Sequence, residues 1–154
     1  MDDRELIEGL NRDLAQELGA IGRSIQQAAL ARGLDGHDLR VLLKVELIDD
    51  VFHALFLADK IAQLGGTPTV EPAPYKVLRE PKAMIEYDLA IERRVIQHYQ
   101  ERVNQAAADW ALALKTRLEK IIADEREHEK GLLKLRGSKR TQGSGITTAY
   151  DTAR

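Results

Sequence analysis

Four stretches of the chain repeat apolar residues with the 3.6-residue period of an amphipathic helix, and turn or proline signals separate them. Residues 3 to about 31 carry Leu6, Leu10, Leu14, Ile21 and Ala28 on one face. Asp2 or Asp3 is placed to cap the start, and Gly33 lies near the end. A GLDG turn follows, with Asp35 as the expected N-cap of a second helix that reaches Leu64 and stops at Gly65-Gly66. Next comes TPTVEPAPYKVLRE, in which Pro68, Pro72 and Pro74 rule out a helix. At about 3.3 Å per extended residue this segment spans roughly 45 Å, the length of a helix of about 28 residues. It can therefore run the full height of a bundle and set the third helix parallel to the second. That third helix starts near Pro81, a favourable early position for proline, and aligns Ile85, Leu89, Ile96 and Val103. A short AAAD junction, with Asp109 as cap and Trp110 packing at the helix start, leads into a fourth helix ending near Leu135. The expected fold is all-α: a four-helix bundle with one long crossover between helices 2 and 3, formed by residues 1–135. Residues 136–154, rich in Gly, Ser and Thr and without apolar periodicity, are expected to be a flexible tail.

The pattern is broken at telling places. In the fourth helix Leu118, Ile121, Ile122, Glu125, His128 and Leu132 share a sector of roughly 120°, so a carboxylate and an imidazole point into the core. The second helix repeats this with Asp50 and His53, one turn apart on its apolar face, with Glu46 one turn earlier. The first helix places Glu17 and Ser24 in its stripe, and the third Glu92 and Tyr99. A lone buried histidine is usually a satisfied core residue, but here every helix supplies an acid near mid-height, where all four meet. Burying an unpartnered carboxylate costs several kcal/mol, and four crowded together resist ionising. Such a set is self-consistent as a largely protonated cluster or as a site for two divalent cations that cancel its charge. Two histidines with four carboxylates suit iron or manganese, with zinc able to compete, whereas magnesium and calcium prefer oxygen alone.

The motifs LNRDLAQELGAI around Glu17, ELIDDVFHALFLADKIAQLGG around Asp50 and His53, DLAIE ending at Glu92 and IIADEREH ending at His128 resemble those of the bacterioferritins, within the ferritin-like superfamily. The resemblance covers residues 10 to about 133 and implies a ferritin-like four-helix bundle binding two irons per subunit. It implies that Glu17 and Glu92 are terminal ligands, that the acids at positions 50 and 125 bridge the metals, and that His53 and His128 each cap one. The implied activity is that of a ferroxidase, oxidising Fe(II) with oxygen or peroxide for iron storage or detoxification. The alternatives are a di-iron or di-manganese oxidoreductase without storage, or a ferritin-like cargo protein whose tail docks it in another shell or on a partner. A DNA-protecting mini-ferritin fits less well, because those generally build their metal sites between subunits.

The chain also departs from the family pattern. Asp50 replaces a glutamate and is about 1.5 Å shorter, so the bridge it makes is expected to be strained or lost. Val51 stands where bacterioferritins place the methionine that ligates a haem between subunits, so haem is not expected. Ser24 replaces a tyrosine, and Val45 a histidine found in some members. The tail stands in place of a short fifth helix, leaving the size of the homo-oligomer, dimer or larger shell, open.

Composition narrows the chemistry further. The chain has 154 residues and no cysteine, which removes disulfides, thiolate metal sites and cysteine nucleophiles together. A net charge of −2 offers no general attraction to nucleic acid or acidic membranes. No apolar run approaches the roughly 20 residues of a membrane span, and the acidic start is unlike a signal peptide; a cytoplasmic location is the expectation. Glu46 is expected either beside the metals or partly exposed. Tyr99 is expected to pack in the core, or to hydrogen-bond near Glu92. Asp49 and Glu127 are expected to face solvent or a subunit contact, and His37 and His98 to lie at the surface.

Overall fold

The computed structural model describes residues 3–106 and 111–138. Its helices are α1 (Asp3–Leu30), α2 (Gly33–Gln63), α3 (Pro81–Gln105) and α4 (Leu112–Gly137), and no strand occurs among the described residues. The link between α1 and α2 is shorter than the sequence suggests. Ala31 and Arg32 join them, and Gly33, at φ +72°, takes the left-handed conformation the reversal needs. Asp35 therefore lies inside α2, and Arg32 occupies the N-cap without a side-chain bond. At the other end Gly65, at φ +81°, closes α2 as expected. Gly65 N donates to Ala62 O and Gly66 N to Ile61 O, the paired bonds of a Schellman cap. Asp109 and Trp110, and residues 139–154 of the expected tail, lie outside the described residues. α4 continues two residues past Leu135.

The crossover runs beside α1. Thr69 N donates to Asn11 Oδ1 at 2.8 Å, and Ala73 N donates to Ala15 O at 2.7 Å. Gly19 permits this approach, since a Cβ there would stand 2.7 Å from Ala73 O. The chain thus climbs back along α1 and starts α3 beside the beginning of α2, which makes α2 and α3 parallel. α1 packs mainly on α2 and α3 mainly on α4.

Two apolar clusters fill the bundle. One gathers Leu10, Leu14, Leu57, Ile61, Val103 and Leu118 toward the start of α1; the other gathers Leu39, Leu43, Met84, Leu89 and Leu132 at the opposite end. Between them lies a layer of buried polar groups. Ser24 is buried as its place in the stripe implies, but burial on α1 otherwise departs from the simple stripe: Ile21 and Ala28 are half-buried and Ile25 is exposed, while Arg23 and Gln27 turn inward. Outside the bundle, α2 exposes Val41, Val45, Ile48, Phe52 and Leu55, with Val51 beside them. Their spacing of three or four residues makes one continuous apolar stripe. Among the described residues no helix is long and apolar enough to cross a membrane.

Candidate metal centre

Glu17, Asp50, His53, Glu92, Glu125 and His128 are all buried, and the fold brings them together in the polar layer. Glu125 is the hub. Its Oε1 lies 3.0 Å from His53 Nδ1 and its Oε2 lies 3.2 Å from His128 Nδ1, so one carboxylate faces both imidazoles. The two rings stand 6.5 Å apart between centroids. Glu17, Asp50, His53 and Glu125 offer one ligand atom each, all within 4.8 Å of one another; Glu92, Glu125 and His128 form a second such group. Glu125 belongs to both. Asp50 belongs only to the first, and its Oδ1 stays 4.0 Å from His128 Nδ1. The resemblance implies a bridge across both halves; here Asp50 offers an oxygen to the Glu17, His53 and Glu125 group and also stands at the edge of contact with His128.

The donor atoms fit a cation better than they fit each other. His53 Nδ1 and Glu125 Oε1 are buried and close, yet neither has a hydrogen-bond partner. Two ligands at right angles on a cation with bonds of about 2.1 Å would sit about 3.0 Å apart, the spacing these atoms have. Beside them a cavity of about 10 Å³, lined by Glu17, Arg23, Asp50, Glu92 and Glu125 among others, has room for about one water-sized occupant.

The outer nitrogens of both rings are held by two further acids: Asp49, expected to face solvent or a subunit contact, and Asp124, which the helical pattern had not singled out. Asp124 Oδ2 lies 3.3 Å from His53 Nε2, and Asp49 Oδ2 lies 3.3 Å from His128 Nε2. In the tautomer that leaves Nδ1 free, each Nε2–H donates to its aspartate, which orients the ring and makes it a better ligand. The support is crossed between helices: the aspartate beside Asp50 on α2 holds the α4 histidine, and the one beside Glu125 on α4 holds the α2 histidine. A repeated signal marks both positions, Asp49-Asp50-x-x-His53 and Asp124-Glu125-x-x-His128. Tyr99 packs in the core as expected, and its hydroxyl donates to Glu17 Oε1 on α1 where the alternative had been a bond near Glu92. Glu46 resolves as buried.

Electrostatics match a site that carries protons when it carries no metal. Burial raises Glu17, Asp50 and Glu92 above their ordinary values, and Glu125 pushes each further. Burial also lifts Glu46, to about 8. It raises Glu125 too, but the close His128 and His53 rings and the neighbouring Glu92 outweigh it and lower that group. Burial opposes charge on the imidazoles, yet Glu125 and Glu17 lift His53 to about 11, and Glu125 lifts His128 to about 9. The ionised form of Glu125 is favoured between the two imidazoles, while burial disfavours charge on Glu17, Asp50 and Glu92 and Arg23 partly offsets that penalty at Glu92.

Arg23, Gln27 and Asp88 form a polar group beside this centre that the helical pattern had not singled out. Gln27 Nε2 donates to Asp88 Oδ1 at 3.0 Å, and Arg23 Nη2 lies 3.6 Å from Glu92 Oε1.

Comparison with known proteins agrees with this geometry. The bacterioferritin of Mycobacterium leprae is 28% identical over 127 residues, covering 82% of this chain and 80% of that protein. Among solved structures, a ferritin-like, diiron-carboxylate protein of Bacillus anthracis is 40% identical. It superposes with a TM-score of 0.84 over 88% of this chain and 98% of its own. The Desulfovibrio desulfuricans bacterioferritin, described with a diiron site, is 26% identical with a TM-score of 0.79 over 87% of this chain and 79% of its own. With four helices, acids from each converging at mid-height, and the sequence profile of the ferritin-like domain matching residues 7–138, the chain belongs to the ferritin-like domain family.

Proposed function

We propose that this protein is a ferroxidase that binds two irons at mid-bundle and oxidises Fe(II) with oxygen or peroxide, in iron storage or detoxification. The observation that carries this reading is Glu125, whose two oxygens each face an inward Nδ1, with Glu17 and Asp50 completing one donor group and Glu92 the other. Glu17, Asp50, His53 and Glu125 would hold one ion; Glu92, Glu125 and His128 would hold the second. Mixed carboxylate and imidazole donors suit iron, with manganese or zinc as competitors. Iron bound there supplies electrons for the reduction of oxygen or peroxide.

The side chains have distinct tasks. His53 and His128 give up their Nδ1 protons when metal enters, because a ligating nitrogen must be neutral. Asp124 and Asp49 retain the Nε2–H bonds and keep the rings aimed. Tyr99 fixes one oxygen of Glu17 and leaves the other free to ligate. The surrounding apolar clusters exclude bulk water, so substrate Fe(II) is bound by protein donors and not by solvent.

The exposed α2 stripe is assigned to a second copy of the chain. An exposed apolar helix face of this length suits an isologous contact, and solution mass with Phe52→Glu tests it.

Anaerobic addition of Fe(II) followed by oxygen tests the main reading. The expected result is rapid oxidation of about two Fe(II) per chain before any slower phase. Slow oxidation at the rate of free Fe(II) would sink the ferroxidase reading. Iron content then separates storage from the alternatives: hundreds of irons per assembly mark a mineral store, and about two per chain a simple di-metal oxidoreductase or a cargo protein.

A further inference from the structure

The polar layer contains one cation that the proposed chemistry does not use. Arg23 of α1 is 4% exposed and lines the cavity beside Glu17, Asp50, Glu92 and Glu125. Its Nη2 lies 3.6 Å from Glu92 Oε1. Its Nε lies 2.9 Å from Asp88 Oδ1 but off the line of a hydrogen bond, and that oxygen already accepts from Gln27. Both Arg23 Nε and Asp88 Oδ2 are buried without a hydrogen-bond partner. The guanidinium is therefore divided between two acids, with its Nε against Asp88 and its Nη2 toward Glu92, and one oxygen of Asp88 accepts no hydrogen bond.

We propose that Arg23 is a positioning residue that occupies the Glu92 side of the centre before metal does, and shifts onto Asp88 when an ion takes Glu92. A guanidinium is a permanent cation, so it neutralises Glu92 while the site is empty and repels an incoming divalent ion. Asp88, one helical turn before Glu92 on α3, provides its destination, and Gln27 holds Asp88 in place. The two halves of the centre are then unequal. The group built on Glu17, Asp50 and His53 fills first, and the group of Glu92 and His128 fills second, against Arg23. The proposal rests on the two-metal reading above.

Two substitutions should act in opposite directions, which a merely structural role for either residue would not produce. Arg23→Gln removes the competitor, and the second ion should bind about tenfold more tightly. Asp88→Asn removes the destination, and the second ion should bind about tenfold more weakly. In the double variant the Asp88 change should lose its effect, because no guanidinium remains to be placed. The readout is titration of the metal-free protein with Co(II), followed by its visible absorption and by calorimetry, with circular dichroism as the check on folding. Two separated steps in the natural chain, with these opposed shifts confined to the second, are the expected result. If two ions bind but both substitutions move the second step the same way, or not at all, the role of Arg23 fails and the two-metal reading stands. If the natural chain takes up fewer than two ions, both fail together. Should Arg23→Gln not fold, Asp88→Asn alone still decides, because it keeps the guanidinium and predicts weakening.

Discussion

Among the described residues the bundle buries acid in two places and treats them differently. Toward the start of α1, Asp13 and Arg102 are each 2% exposed and meet through a fork, with Arg102 Nε donating to Asp13 Oδ2 at 2.7 Å and Nη2 to Oδ1 at 3.4 Å. Gln105 takes a third bond from the guanidinium, and Gly9 leaves it room, since a Cβ there would collide with it. Neither side chain keeps an unpaired buried atom. At mid-bundle, by contrast, six buried acids, Glu17, Glu46, Asp50, Asp88, Glu92 and Glu125, face two imidazoles and one arginine, and buried atoms of His53 and Glu125 lack partners. The first arrangement is complete within the chain and can only hold the helices together. The second is complete only with something added, and that difference separates a structural ion pair from a binding site.

The sharpest way to break the comparison is to remove one acid or one base from each place. Glu125→Gln keeps the shape of the hub and removes the charge that both metals would share. Loss of groups that only orient a ligand costs about 10- to 100-fold, so losing the shared ligand itself should slow Fe(II) oxidation by more than about 100-fold, with helical content unchanged. Arg102→Met should do the reverse. Stranding Asp13 as an unpaired buried charge should cost about 3–5 kcal/mol of stability, measured by denaturant unfolding, while Fe(II) oxidation in the folded fraction keeps its rate. If Arg102→Met abolished oxidation without lowering stability, the division between the two places would be wrong.

A smaller effect comes from pH. His128 is raised to about 9 and His53 to about 11, from 6.5. A raised folded value means that the protonated form stabilises the fold. That stability is fully present below the unfolded value near 6.5 and is lost as pH climbs through the folded values. Glu17, Asp50 and Glu92, also raised by burial, act in the same sense from a lower starting point. The metal-free protein should therefore melt several degrees lower at pH 9 than at pH 6.5. Bound metal favours deprotonated ligands, so the metal-loaded protein should hold its melting temperature over the same range. Equal slopes with and without metal would show that protons and metal do not compete for these groups.

The sequence made the centre legible because each of its ligand candidates interrupts an otherwise apolar stripe at helical spacing. Glu125 between Ile121, Ile122 and Leu132 cannot face water if those residues face the core. Arg23, Gln27, Asp88, Asp13 and Arg102 gave no such signal. They sit at the margins of their stripes, where one turn of a helix looks as much outward as inward, and their burial is decided by what a neighbouring element lays over them. For Asp13 that element is α3, which brings Arg102; for Arg23 it is again α3, through Asp88 and Glu92. The crossover gave its length to the sequence reading, but its course along α1 depends on Gly19 meeting Ala73, a contact between residues far apart in the chain.

The finest test concerns the crossed aspartates. Asp124 is half-exposed and Asp49 more so, with side-chain accessibilities of 27% and 48%, and each is linked to a buried ring by a 3.3 Å contact. Exposure weakens such a bond, so the lower end of the usual range applies, about tenfold in metal affinity for either change to Asn. The two changes should differ in where they act. Asp124→Asn loosens His53 and should weaken the group that contains Glu17 and Asp50, whereas Asp49→Asn loosens His128 and should weaken the group that contains Glu92. A Co(II) titration of each variant should therefore displace a different step. If both displaced the same step, the two imidazoles would be serving one ion, and the second group of donors would be no more than a buried hydrogen-bond network like the one around Arg102.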